Sequence, residues 1–110
     1  MIKLFEKVIK EKLKDHLTGA DLPLHYLKYS TITSGAGLND KVIFLVFKNG
    51  ASSPFICIKT VRNYQARAAI IRNFNNLKIL NELTSSSIYV RMFAQALYLY
   101  LDGENVFSIE

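Results

Sequence analysis

Cysteine is nearly missing: Cys57 stands alone in 110 residues, so no internal disulfide and no cysteine metal cluster can form. That scarcity points to a reducing, intracellular setting, and the expected location is cytoplasmic. Histidine is almost as rare. His16 and His25 show no HxxxH or CxxC spacing, which argues against a zinc site. No apolar run approaches the roughly 20 residues of a membrane span. The first residues do not read as a secretory leader either, because Lys3, Glu6, Lys7, Lys10, Glu11, Lys12 and Lys14 interrupt any apolar stretch. Internal repeats and low-complexity segments are also lacking.

What is present describes a packed globule. Half of the residues are hydrophobic and 12% are aromatic, which suits one core, and the chain is too short for two. The net charge of +5 favours anionic partners: nucleotide phosphates, nucleic acid or acidic lipid.

Residues 2–17 predict an amphipathic helix, with Ile2, Phe5, Val8, Ile9, Leu13 and Leu17 on one side and lysines and acids on the other. A helix packed on the domain is expected, and a membrane-surface helix is the alternative. Gly19 and Pro23 break the pattern. Runs rich in β-branched and aromatic residues then predict strands at 26–34, 41–48 and 55–61, with Asn49-Gly50 as a turn. A stripe of Ala66, Ala69, Ile70, Phe74, Leu77 and Leu80 predicts a helix over 63–83. Residues 88–94 and 95–101 read as strand, 102–105 as a turn and 106–109 as a last strand. The expected class is α+β: an antiparallel sheet of about five strands, a helix between strands 3 and 4, and an additional N-terminal helix. One domain covers 1–110, with 1–24 as helix and linker and 25–110 as the sheet and its helix.

The candidate chemistry begins at Gly35-Ala36-Gly37, which leads into an apolar strand. A dinucleotide fingerprint requires a helix after its glycines, and a P-loop requires Gly-Lys-Ser/Thr opening one, so both are excluded. A strand, glycine turn and strand remain, an arrangement whose loop N–H groups cover phosphates. Lys59 closes the next apolar run, and strand alternation sets Cys57 and Lys59 on one face.

These residues resemble the N-terminal lobe of the aminoglycoside phosphotransferase/choline kinase-like group. Gly35-Ala36-Gly37-Leu38-Asn39-Asp40-Lys41-Val42 resembles the glycine loop of kinases, with Asp40 in place of the last glycine. Cys57-Ile58-Lys59 stands where kinases have Ala-x-Lys. The segment from Arg72 to Leu80 resembles the family helix, and Val106-Phe107-Ser108-Ile109-Glu110 the strand running into the hinge. The resemblance implies a nucleotide site: Gly35, Gly37 and Asn39 over the phosphates, Lys59 toward them, Cys57 and Val42 against the base, and the Glu110 backbone at the adenine. ATP or GTP with Mg²⁺ would be the cofactor. Asn73 stands where family members have the glutamate that pairs the lysine, and Glu82 is the next carboxylate along the helix.

The resemblance also implies a second lobe, which would carry the catalytic and metal-binding aspartates. This segment alone is therefore not expected to catalyse, and it would pair with that lobe or self-associate through an exposed sheet face. A lysine reaching water at a strand end is the plain alternative for Lys59. For the whole chain, the alternatives are a non-catalytic interaction domain of degenerate kinase-like fold and a basic nucleic-acid-binding sheet. Tyr98, Tyr100 and Phe107 would be the stacking platform of the latter. The doubly apolar pattern Leu97-Tyr98-Leu99-Tyr100-Leu101 favours burial instead, and Arg62, Arg67 and Arg72 spread around their helix rather than forming a stripe.

Overall fold

In a computed structural model that describes residues 1–17, 27–33, 41–103 and 105–110, the strand-forming segments pair into one antiparallel sheet. Its strands are β1 (Lys28–Thr33), β2 (Lys41–Phe47), β3 (Ile56–Val61), β4 (Tyr98–Asp102) and β5 (Asn105–Ile109), in the spatial order β1-β2-β3-β5-β4. The first three form a meander. The β4–β5 hairpin then returns after a helix and inserts β5 beside β3. Both tight turns use glycine at positive φ: Gly50 at +77° between β2 and β3, and Gly103 at +55° between β4 and β5. The architecture is α+β, with helix α1 (Ile2–Lys12) before the sheet and helix α2 (Arg67–Thr84) between β3 and β4.

Strand register separates the two faces. Ile58 lies opposite Phe44 and Ile109, and Thr60 opposite Val42 and Phe107, so these side chains share one face. α1 covers that face and buries Phe5 and Ile9 on it, and Leu13, just past the helix, joins the same core. Phe5 meets the rings of Phe44 and Phe107 edge-on, at 5.1 and 4.9 Å between centroids. Each such side chain contributes about 1.5–3 kcal/mol by leaving water, so α1 is an integral layer and not an appendage. The opposite face presents Cys57, Lys59 and Val61 from β3, with Ser108 of β5 opposite Lys59. α2 lies over β3 and β5 on this side and buries Ile70 and Phe74.

Several element bounds differ from the sequence reading. α1 ends at Lys12 instead of continuing to residue 17. Leu13 leaves helical geometry as it enters the core, and Lys14–His16 forms one tighter turn. α2 is likewise preceded by a tight turn, Tyr64–Ala66, started by the Asn63 side chain accepting from the Gln65 N–H. Residues 88–94 are turns, not strand. On its edge away from β3, β5 takes Tyr98–Asp102 as its strand partner and accepts from the Leu97 N–H, and the backbone of 88–94 bonds locally. The Ser87 hydroxyl accepts from the Tyr89 N–H, and the Asn81 amide holds the Ala94 carbonyl and the Ala96 N–H.

Candidate functional site

Lys59 is on a central strand, flanked by β2 and β5, and points to the α2 side with Cys57, as alternation predicts. Glu110 follows directly on β5 and is fixed by its backbone. Its N–H donates to the Cys57 carbonyl at 2.8 Å, and its own carbonyl accepts from the Cys57 N–H at 2.7 Å. From that position its carboxylate accepts a hydrogen bond from Lys59 Nζ at 2.8 Å through Oε1. Oε2 accepts from the Ser108 hydroxyl at 3.2 Å. The Glu110 side chain is 6% exposed and that of Lys59 31%, so the pair sits at the floor of the site with the ammonium toward the opening.

That opening is a cleft of about 330 Å³ between the sheet and α2, lined by Lys59, Asn73, Asn76, Leu77, Leu80 and Glu110. Its size is at the low end of small-ligand sites. Asn73 and Asn76 lie one turn apart on α2 and present amides, and Leu77 and Leu80 supply an apolar wall. Asn73 thus shares the cleft with Lys59, but the lysine's partner is Glu110. Glu82 is exposed beyond the cleft. Burial pushes the Cys57 thiol above its ordinary value; nearby Lys59 opposes that shift and Glu110 adds to it.

The register also separates residues that the sequence groups together. Val42 pairs with Thr60 and shares the α1 face, whereas Ile43 pairs with Lys59. Val42 therefore does not stand opposite Cys57 as a second wall, because a one-residue step along a strand changes its face. Gly35, Gly37 and Asn39 lie outside the described residues. The Glu110 backbone, expected at an adenine, has its N–H and carbonyl engaged with Cys57. The carboxylate of Glu110 is the functional group that sequence reasoning missed. The signal was the alternation Ser108-x-Glu110, which sets both side chains on one face once β5 is placed beside β3.

Elsewhere the surface is plainer. Tyr100 stacks on Phe107 at 4.7 Å; Phe107 is 1% exposed beneath α1, while Tyr98 and Tyr100 are half-buried against the core. A wide depression along α1 is lined by Lys3, Glu6, Lys7, Lys10, Glu11 and Lys14, where acids offset part of the positive charge. No described helix is long and apolar enough to cross a membrane. Among the described residues, no group of three or more His, Cys, Asp or Glu side chains could hold a metal ion. No protein-family model, curated protein or solved structure matches the chain.

Proposed function

We propose that this chain is a nucleotide-binding lobe of a kinase-like small-molecule phosphotransferase, holding half of a site and inactive without a second lobe. One observation carries this reading: a part-exposed lysine on a central strand lines an open cleft beside α2, with a carboxylate 2.8 Å away. Lysine in that setting is a compact charge that reaches phosphate oxygens from a rigid base. One further feature supports it: the helix between β3 and β4 lines the same cleft as the lysine.

The donor set fits the phosphate part of ATP or GTP at Lys59, and Asn73 and Asn76 add amides. Mg²⁺ would be carried on the phosphates, and a base and metal ligands for transfer would come from the second lobe. The absence of an acid at Asn73 favours a second reading, a degenerate lobe that binds nucleotide or a protein without catalysis.

Calorimetry with ATP–Mg²⁺, GTP–Mg²⁺ and single-stranded RNA tests these readings. Saturable nucleotide binding, weakened at least tenfold by Lys59→Ala, supports the lobe. Nucleotide binding that is indifferent to Mg²⁺ favours the degenerate form. Failure of a folded chain to bind either nucleotide overturns the nucleotide-binding lobe and leaves only the protein-binding form of the second reading, and RNA binding with a steep salt slope would point to the nucleic-acid alternative.

A further inference from the structure

We propose that Glu110 is the positioning residue of Lys59, supplying from the sheet the carboxylate that α2 does not provide. This rests on the nucleotide reading above and extends it to how the lysine is kept ready.

Glu110 has little freedom. Two backbone hydrogen bonds to Cys57 fix its main chain, the Ser108 hydroxyl holds Oε2, and the side chain is almost wholly buried. Lys59 is the opposite: a long side chain, part-exposed, with rotamer freedom to lose when a ligand orders it. The fixed carboxylate takes one of the ammonium's three N–H donors and leaves the others to face the cleft. α2 presents only amides and leucines there. The ion pair is therefore built between strands β3 and β5, which are hydrogen-bonded to each other.

This has a consequence for control. Where a helix carries the carboxylate, movement of that helix makes or breaks the pair. Here both members of the pair come from the sheet, and no side chain of α2 is needed to form it. α2 would act as a wall of the cleft and not as a switch.

The sign of one measurement separates positioning from simple charge. A carboxylate beside a phosphate site repels the ligand, so if Glu110 acted only by its charge, Glu110→Gln would tighten ATP–Mg²⁺ binding. If it positions Lys59, the same change releases the lysine to other rotamers and weakens binding about tenfold. The experiment measures ATP–Mg²⁺ affinity by calorimetry on the full chain as wild type, Lys59→Met, Glu110→Gln and Glu110→Gln/Asn73→Glu, with circular dichroism to verify folding. Weakening by Glu110→Gln and recovery of most of the loss in the double variant are expected, because Asn73 lines the same cleft. Should Glu110→Gln not fold, Glu110→Asp keeps the charge but shortens its reach, and weaker binding is again expected.

Wild-type binding that Lys59→Met weakens but Glu110→Gln or Glu110→Asp leaves unchanged or tightens overturns the positioning role alone. A folded wild type that binds no ATP–Mg²⁺ overturns the nucleotide reading, and the role of Glu110 toward it falls as well.

Discussion

Lys59 and Glu110 are 51 residues apart in sequence, yet their charged ends meet at 2.8 Å on the floor of the cleft. Neighbouring strands carry them there, and Ser108, the cross-strand partner of Lys59, braces the carboxylate. Removing the lysine leaves an almost buried carboxylate unpaired. Because the lysine end is partly in water, Lys59→Met should cost about 2 kcal/mol, less than a fully buried pair. The double variant Lys59→Met/Glu110→Gln should cost less than the sum of the two single changes, measured by urea denaturation. Strictly additive costs would show that the two groups do not couple.

Cys57 reports on the same pair. Its thiol is raised by burial first, with Glu110 adding and Lys59 opposing. Glu110→Gln should therefore lower the thiol pKa and speed alkylation by iodoacetamide at neutral pH about twofold or more, whereas Lys59→Met should slow it. The rates are followed by mass spectrometry. If both variants moved the rate in one direction, altered exposure and not charge would be the cause.

Phe5 tests whether α1 belongs to the core. It is 0% exposed and touches two rings from the sheet. Phe5→Ala should cost about 3–5 kcal/mol in urea denaturation, a loss that approaches the whole stability of many small domains. A cost below about 1 kcal/mol would mean that the helix does not dock.

Tyr29 should make the fold sensitive to alkali. Its buried hydroxyl has no hydrogen-bond partner among the described residues, and its pKa is pushed up to about 12, by burial first and Glu6 second. Above the ordinary value of 10 the unfolded chain releases this proton while the folded chain keeps it. The folded state then binds more protons, so stability falls as pH rises from 10 toward 12. Tyr29→Phe should flatten that decline in urea titrations at increasing pH. Near neutral pH it should match or exceed the wild type by up to about 1 kcal/mol, because an unpaired hydroxyl is removed.

Apolar side chains near the end of α2 should drive self-association. Leu83 at the end of α2 is 76% exposed, and Ile88 and Met92 in the segment that follows are 87% and 69% exposed. Leu83→Lys/Ile88→Lys should sediment as a monomer at concentrations where the wild type self-associates. Identical sedimentation of the two would place any contact elsewhere.

Periodicity alone made much of the fold legible. Phe5, Val8 and Ile9 share one helix face whatever surrounds them, and strand alternation sets Cys57 beside Lys59, because both repeats are properties of the local backbone. The ends of the elements were less legible. Residues 88–94 have the composition of a strand, but a strand needs a neighbour, and on its edge away from β3 the strand β5 pairs with Tyr98–Asp102. Asn81, from within α2, instead holds the chain at Ala94 and Ala96.

By itself the sequence determined the α+β class, the three strands before the second helix, the placement of Lys59 on the same face as Cys57, and the lack of an acid at Asn73. Each is a matter of residue type and short-range spacing. Only the tertiary structure decided what meets Lys59. Strand order set β5 against β3, and register turned Val42 away and Glu110 inward. Hydrogen-bond pairing between distant segments leaves no trace in local periodicity, so the carboxylate that meets Lys59 stands at the end of β5 and not on α2.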